Sequence, residues 1–469
     1  MAGKGVSRRE FLRLGGLLGG VAVLAACTPP PPTESKPTTA STAGESTQSA
    51  ATPVSGGQIV LQHWQSDWGK DWNDPMLTLS DNFTKDVAPN VKMEWTFMPQ
   101  VSEKLLAAVA GGNAPDICTI DEGYGVPKMA RAGGLMSLDE YYKRDGLKGE
   151  DFIGFTWETV LYKGVPYGIP GGAGTLVLIY NKDAFTEAGL NPDLPDTPRI
   201  DDFWTWNQQL VKKDASGNVV RIGKNPGAWE YFNGWAGILG VRIYNEDRTK
   251  LIVNAPESVA ALEKYVQLLP AGVSYDDLSN LLAGAPTSTY GTLGAGLESV
   301  INDGFWSFMA LDKYWPKLNY GMAKLPTPNG TREDWNLYSG WVWDPTIPKG
   351  CKHPDEAWAF LKYGYWEHGE MLADTLNWTS ALKCFPEFEK RLIKIMGDDN
   401  RMRPYLHHFS EAQYAARYFV PYTPIFQQLN DALSQAVDQA LRGQKKPQEA
   451  LDEVVATMQP ELDKVLAEG

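Results

Sequence analysis

Cysteine, basic charge and long apolar runs are all scarce in this chain, and each shortage excludes a class of protein. Four cysteines in 469 residues are too few for a scaffold built on disulfides. With 43 basic and 57 acidic residues, the net charge of −14 argues against a nucleic-acid partner, because no excess positive charge is available to neutralise phosphates. The sequence also lacks the His-Glu-x-x-His, Gly-x-Ser-x-Gly and Walker motifs of common hydrolases and nucleotide-binding proteins.

The N-terminus has the pattern of an export signal. Ser7–Arg13 resembles a twin-arginine motif, and the uncharged run Leu14–Ala26 is shorter than the roughly 20 residues that span a membrane. The run ends in Leu-Ala-Ala-Cys, which resembles a bacterial lipoprotein cleavage box and implies lipidation of Cys27. Residues 1–26 are therefore predicted to be a signal peptide. Residues 27–57, rich in Pro, Thr, Ser and Ala, are predicted to be the lipidated cysteine and a disordered tether.

Three cysteines remain after the predicted cleavage. An exported protein is in a compartment that permits disulfides, and Cys351 with Cys384 is the favoured pair. Cys118 lies in an apolar, strand-like run, so we expect it to be a buried free thiol.

A stretch rich in glycine and proline separates two parts of the remaining chain. Gly164–Gly174 breaks regular structure, whereas Leu176–Tyr180 is a short apolar run that suits a buried strand. A chain of this length implies at least two lobes. We therefore interpret the stretch as a crossing from one lobe to the other.

The part before the crossing alternates strands and helices. Predicted strands begin at Gln58, Val91 and Asp116, with helical segments between them, and this order favours a parallel sheet in an α/β fold. The tail carries two amphipathic helices, separated by Gly443 and Pro447.

Five blocks of sequence together resemble the carbohydrate-binding group of extracellular solute-binding proteins of ABC importers, which includes maltose-binding protein. They occur in the family's order behind the lipoprotein signal. The blocks are Lys104–Ile117, Tyr180–Phe185, Asn302–Trp306, Leu325–Gly330 and the tail Pro424–Leu466.

The resemblance implies a type II periplasmic-binding-protein fold, in which two α/β lobes are joined by hinge crossings and the ligand binds in the cleft between them. Lobe one is expected to comprise residues 58–171 and 299–340, and lobe two residues 172–298 and 341–469. The implied partners are a carbohydrate ligand and the permease subunits of an importer. The implied protein is a monomer without cofactor or metal, anchored by lipid to the outer face of the cytoplasmic membrane.

Candidate ligand contacts follow from the rule that ligands bind beyond the carboxyl ends of strands in open α/β sheets. Flat aromatic rings match the apolar faces of a sugar, and carboxylates and amides match its hydroxyls. The candidates are Trp64, Gln65, Asp67, Trp68, Asp121, Glu122, Tyr124, Gly172, Ala173, Trp229, Glu230, Trp235, Trp306, Trp341 and Trp378. Trp204 and Trp206 are instead predicted to be core residues.

Two other functions stay open at this point. A secreted carbohydrate-active hydrolase would need a pair of carboxylates, and a chain this acidic always offers one. A structural or adhesive lipoprotein would not need the crossing. The adjacent His407 and His408 are expected to diverge on the surface rather than to bind a metal.

Overall fold

The computed structural model describes most of the chain after the predicted tether. The described residues are 57–121, 125–227, 231, 235–286, 289–331, 337–338, 341–375, 380–383, 385–418, 423 and 425–467. Their strands are β1 Ile59–Ser66, β2 Val91–Met98, β3 Ile117–Ile120, β4 Leu161–Tyr162, β5 Val165–Pro166, β6 Gly172–Gly174, β7 Leu176–Asn181, β8 Lys212–Lys213, β9 Val219–Arg221, β10 Val300–Gly304, β11 Tyr320–Ala323, β12 Leu337–Tyr338, β13 Trp341–Thr346 and β14 Ala416–Tyr418.

Helices connect and cover these strands. They are α1 Lys70–Asp86, α2 Val101–Ala110, α3 Gly125–Arg131, α4 Asp139–Asp145, α5 Gly154–Thr159, α6 Lys182–Glu187, α7 Ile200–Gln209, α8 Ala236–Ile238, α9 Pro256–Val266, α10 Tyr275–Leu282, α11 Thr289–Gly294, α12 Ser307–Tyr314, α13 Pro354–Lys362, α14 Phe385–Met396, α15 Leu406–Ala415, α16 Phe426–Leu441 and α17 Pro447–Ala467. Within the described ranges, no helix combines the length and the apolar character that a membrane crossing requires.

The first sheet has the strand order β2-β1-β3-β13-β6. β1 pairs in parallel with both β2 and β3, which confirms the predicted parallel arrangement of the first three strands. β13 pairs antiparallel with β3 on one side and with β6 on the other. Because β13 runs in the opposite direction, its first residues lie at the same edge of the sheet as the last residues of β1 and β3.

The second sheet has the order β10-β7-β11, with both outer strands antiparallel to β7. The chain passes from the first sheet to the second at Thr175, between β6 and β7, as the predicted crossing requires. Gly171 lies just before this point, and its N–H donates to the carbonyl oxygen of Trp343 at 2.9 Å. A Cβ at position 171 would overlap that oxygen, so the close approach of the two backbones requires glycine.

The strand pairing differs from the lobe boundaries expected at residues 299 and 341. Val300–Gly304 and Tyr320–Ala323 pair with β7 in the second sheet rather than joining the first. Trp341–Thr346 pairs with β3 and β6 in the first sheet rather than joining the second. The later crossing therefore returns the chain to the first sheet near Trp341, the reverse of the expected direction.

Two large hydrophobic cores correspond to the two sheets. In the first, Leu61 of β1 packs with Phe83 of α1 and with Trp358 and Phe360 of α13. The second core contains Phe185, Phe203, Leu262, Leu433 and Leu451, from α6, α7, α9, α16 and α17. β7 contributes to both, because Leu178 faces the second core and Ile179 faces the first. The central strand of the second sheet thus lies between the two cores.

The favoured disulfide is not made. Cys351 is a free thiol whose Sγ donates to Asp116 Oδ1 at 3.4 Å, and Cys384 lies outside the described residues. Burial raises the pKa of the Cys351 thiol to about 12. Cys118 is buried in β3, as expected.

Candidate functional site

Three tryptophans from different strand ends meet in one cluster. The Trp68 ring, just after β1, lies 6.2 Å from the ring of Trp343 on β13, at an interplanar angle of 72°. The ring of Trp306, just after β10, also lies 6.1 Å from that of Trp343, at 85°. These edge-to-face contacts are the favourable geometry for aromatic pairs. Trp68 and Trp343 belong to the first sheet and its loops, whereas Trp306 follows a strand of the second sheet, so the cluster joins the two.

A carboxylate borders this tryptophan cluster. Trp68 Nε1–H donates to Asp121 Oδ2 at 3.1 Å, and Asp121 directly follows β3. Burial raises the pKa of the Asp121 carboxyl, while hydrogen bonds from Ser66 and Trp68 act in the opposite direction. The site therefore combines apolar ring faces with one half-buried acceptor, which is the combination that a polyhydroxylated ligand requires.

Backbone packing holds the cluster in place. Gly304 is the last residue of β10, and a Cβ there would overlap the ring of Trp306, so the ring lies against the strand itself. Gly172 and Ala173 pair with Trp343 and Val342 across β6 and β13. Both of these candidates are buried beside the strand that carries Trp343, and their contact with a ligand stays a prediction.

Trp64 and Gln65 lie within β1 and Asp67 directly after it, and all three make other contacts, so their contact with a ligand stays a prediction. Trp64 is partly buried and packs against the core formed by α2, α3 and β3. The Gln65 side chain is fully buried on the opposite face of β1. Asp67 is exposed, and its Oδ1 accepts from the Gly69 N–H at 2.9 Å and from Asn73 Nδ2 at 2.7 Å. Asp67 thereby organises the start of α1, which is a common use of Asp at such positions.

Trp235 is a core residue, which contradicts its prediction as a ligand contact. Its exposure is 0%, and its ring packs 4.9 Å from Phe203 and 5.3 Å from Trp204. Trp204 and Trp206 are partly buried against the same core, as predicted.

Several candidates are not located by the structure and stay predictions. Glu122, Tyr124, Trp229, Glu230 and Trp378 lie outside the described residues. The backbone of Trp341 begins β13 opposite Gly174, but its side chain is not among those described.

Sequence reasoning missed Trp343, the central ring of the cluster. Trp341 and Trp343 are two residues apart on one strand, and side chains at that spacing share a face of the sheet. Choosing Trp341 for the site therefore implied Trp343 as well. Ser66 was also missed, although it is the last residue of β1.

The side chains of His407 and His408 lie close together, whereas the sequence predicted that they would diverge on the surface. Their ring centroids lie 4.2 Å apart, and His408 is only 2% exposed. Both rings approach the carboxylate of Asp196 in the loop before α7. Among the described residues, these three side chains are the group whose arrangement could hold a metal ion.

Comparison with known families gives a match over most of the chain. The model of the family described as bacterial extracellular solute-binding protein matches residues 64–365. A diacetylchitobiose-binding protein of Streptomyces coelicolor is 28% identical over 44% of this chain and 46% of its own length. A maltotriose-binding protein of Pyrococcus abyssi is 23% identical over 59% of this chain and 56% of its own. The chain thus spans about half the length of these two relatives.

Solved structures of sugar-binding proteins share the fold. CpMnBP1 with mannotriose bound has a TM-score of 0.68 and 25% identity, covering 85% of this chain and 99% of that one. The GacH receptor of Streptomyces glaucescens, determined unliganded and with acarbose, has a TM-score of 0.67 and 19% identity, covering 87% of this chain and 99% of that one. The second likeness bears on the fold alone, and the fold is the two-lobed α/β type expected from the sequence.

Proposed function

The chain belongs to the bacterial extracellular solute-binding protein family, and we propose that it captures an oligosaccharide or glycoside between its lobes for uptake by an ABC importer. The observation that carries this proposal is the tryptophan cluster beside Asp121. Trp68 and Trp306 offer partly exposed rings from both sheets, on either side of a contact with the buried ring of Trp343, and Asp121 offers an acceptor for a sugar hydroxyl.

The proposed mechanism is capture by closure of the lobes. Trp306 follows the second sheet and Trp343 lies in the first, so a ligand that touches both rings binds the closed arrangement more tightly than an open one. That difference in affinity is what shifts the population towards closure. The relatives named for binding diacetylchitobiose and maltotriose support a sugar of two or more units as the ligand.

The remaining parts of the proposal concern export and delivery. A protein released from its signal peptide and lipidated at Cys27 would stay at the outer face of the membrane, on a tether of residues 28–57, and pass its ligand to permease subunits as a monomer. Replacement of Cys27 by serine is expected to move the protein from the membrane fraction to the medium or periplasm. Retention at the membrane would contradict lipid anchoring.

Calorimetry against a sugar panel tests the ligand class. The panel contains chitooligosaccharides, maltooligosaccharides and mannooligosaccharides, with a peptide and a polyamine as unrelated ligands. We expect at least one oligosaccharide to bind and to raise the melting temperature. Stabilisation by the peptide or the polyamine, with none by any sugar, would overturn the carbohydrate assignment.

A matched pair of tryptophan variants tests the site itself. Trp306→Ala removes a ring of the cluster and is expected to weaken sugar binding about tenfold, given the usual energy of an aromatic contact together with its apolar area. Trp204→Ala removes a half-buried ring whose Nε1–H donates to the carbonyl oxygen of Lys264 at 2.8 Å and whose neighbouring rings are Phe203 and Trp235. A larger loss of affinity for the second variant would show that the site is wrongly placed.

The alternative, a hydrolase with paired carboxylates, makes a different prediction. It requires turnover of a glycoside that Asp121→Asn or Glu122→Gln abolishes. Under the binding proposal, the sugar that binds is recovered chemically unchanged after prolonged incubation, and Asp121→Asn lowers only its affinity.

A further inference from the structure

Three side chains from two distant parts of the sequence converge beside the second sheet. Asp196 lies in the loop before α7, and His407 and His408 lie in the first turn of α15. His407 Nε2 is 3.5 Å from Asp196 Oδ2, and His408 Nε2 is 3.5 Å from Asp196 Oδ1. One ligand atom from each residue lies within 4.8 Å of the other two. Ligand atoms of a tetrahedral zinc ion, at 2.0–2.2 Å from the metal, are separated by about 3.3 Å.

The buried histidine provides a second, independent indication of a missing ligand. His408 is 2% exposed, yet among the described residues neither its Nδ1 nor its Nε2 makes a hydrogen bond of good geometry. A buried polar atom without such a bond destabilises a fold, and such atoms are uncommon in proteins. The nearest approach of Nε2 is to Asp196 Oδ1, at 3.5 Å, which is longer than an ordinary hydrogen bond. A metal ion between these atoms would give Nε2 the partner that it lacks.

The backbone holds all three ligands in place. The Asp196 carbonyl oxygen accepts from the Lys324 N–H at 2.7 Å, and the Pro198 carbonyl oxygen accepts from the Thr327 N–H at 3.0 Å. The loop is therefore bonded to the segment that follows β11. On the other side, Phe409 of α15 is buried, with its ring 5.4 Å from that of Phe305. Ligands fixed in this way lose little freedom when an ion binds.

The charges around the cluster also suit a cation. Lys324 is the nearby basic side chain that acts on His408, and it forms an ion pair with Glu411. Its positive charge is therefore largely neutralised by Glu411, so the Asp196 carboxylate sets the sign of the charge beside the two rings among the described groups that act on His408. Two imidazoles and one carboxylate form a ligand set that suits zinc and its neighbours in the first transition series.

We propose that Asp196, His407 and His408 bind one divalent transition-metal ion of the zinc class. The ion would join the loop before α7 to α15, a helix that contributes Phe409 to the first core and Ala412 to the second. With three protein ligands, one coordination position is left for water. The metal would then stabilise the packing between the two cores, at a place separate from the tryptophan cluster.

The experiment uses tag-free protein that has been treated with a chelator and dialysed. Calorimetry with Zn²⁺ and metal analysis after desalting are expected to give one ion per chain. At 100 times the dissociation constant, Zn²⁺ is expected to raise the melting temperature by about 2–4 °C. Co²⁺ is expected to bind at the same site and to give the visible absorption of a tetrahedral complex.

Two exposed ligands provide variants that should fold normally. Asp196→Asn and His407→Gln alter side chains that are 66% and 43% exposed, and each is expected to lower zinc affinity at least tenfold. His368→Gln is the matched control, because His368 also lies 3.5 Å from a carboxylate, that of Glu370, but belongs to no such group among the described residues. It should leave zinc binding unchanged.

Three results would overturn the proposal. The first is less than one-fifth of an ion per chain. The second is zinc binding that both ligand variants retain in full. The third is a loss of stability in these variants with no zinc uptake by the parent protein, which would mean that the contacts are only an ion pair between Asp196 and its histidines.

Discussion

Replacing His63 with glutamine is expected to make the protein more resistant to acid. His63 lies in β1 with 0% exposure, and its ring stacks on Trp95 with centroids 3.7 Å apart. Its Nε2 shares a hydrogen bond with Thr119 Oγ1 at 2.8 Å. Burial lowers the pKa of His63 from 6.5 to about 3, because a charged imidazolium would have to leave water. The folded protein therefore keeps this ring neutral at pH values where the unfolded chain protonates it.

The size of the effect follows from proton linkage. Above pH 6.5 the ring is neutral in both states, and the free energy of unfolding does not depend on it. Below that pH the unfolded state binds one more proton, so stability falls by up to about 1.4 kcal/mol per pH unit until the folded pKa is reached. Between about pH 7.5 and about pH 4.5, His63 alone should remove about 2–3 kcal/mol. Glutamine retains an amide that can reach Thr119 but does not titrate.

Urea unfolding at a series of pH values measures this contribution. The quantity compared is the slope of the free energy of unfolding against pH. Glutamine also changes the packing on Trp95, but the free energy of that change does not vary with pH and so does not affect the slope. The parent protein should lose about 2–3 kcal/mol more than His63→Gln over the interval. Equal slopes for the parent and His63→Gln would refute the assignment of a buried neutral imidazole.

Three further changes test the crossing, the carboxylate of the site and a buried ion pair. Gly171→Ala places a Cβ against the carbonyl oxygen of Trp343 and should cost about 1–3 kcal/mol in thermal or urea unfolding, and an unchanged midpoint would contradict the close approach. Asp121→Asn should weaken sugar binding at neutral pH and remove its decline in acid. In the parent protein the sugar affinity should begin to decline at a pH above the usual titration range of aspartate, because burial raises the Asp121 pKa. Calorimetry at several pH values measures this affinity, and a decline that persists in Asp121→Asn would contradict the assignment. Glu298→Gln removes the buried carboxylate that lies 3.8 Å from the buried Lys224 and should cost about 3–5 kcal/mol in urea unfolding, whereas a loss below 1 kcal/mol would show that the pair is dispensable.

Local patterns were sufficient for the elements that flank the crossing. The apolar run Leu176–Tyr180 forms β7 almost residue for residue, because a strand buried on both faces needs no alternation of polar residues. Asn181 accepts from the N–H groups of Asp183 and Ala184 and so begins α6, because asparagine is a favoured residue at the start of a helix. Such features depend on neighbours along the chain. Pro460, in contrast, lies inside the last helix, where proline usually bends or ends a helix, and α17 continues through it to Ala467.

Sheet membership after residue 299 could not be obtained in the same way. Val300–Gly304 and Trp341–Thr346 are both short segments of five or six residues that suit a buried strand. A strand's own pattern shows that it is buried but does not identify its neighbour, since pairing is decided by contacts made across the fold. The expected boundaries therefore placed both segments in the wrong sheet.

The tryptophans illustrate the same limit at the level of side chains. Trp235 and Trp306 both lie in aromatic, glycine-containing segments, yet one is enclosed by Phe203 and Trp204 and the other borders the proposed site. The two side chains differ in burial because Trp235 lies within the second core, whereas Trp306 packs at the border of both cores. The position of Trp68 follows more directly from the sequence, because residues just after a parallel strand lie at the carboxyl edge of the sheet.

The observed strand pairing places Trp343 beside both connections between the sheets, a location that its position in the sequence did not indicate. β13 is the strand by which the chain returns to the first sheet, and it pairs with β6, by which the chain leaves. Trp343 thus stands where both connections between the sheets run side by side, and Gly171 permits that close approach. Its contact with Trp68 lies within the first sheet and its loops, whereas its contact with Trp306 reaches the second. A ligand bound to these rings would therefore lie beside the connections between the two sheets. A small rotation of one sheet relative to the other about these connections would change the contact between Trp343 and Trp306 and preserve the contact between Trp343 and Trp68.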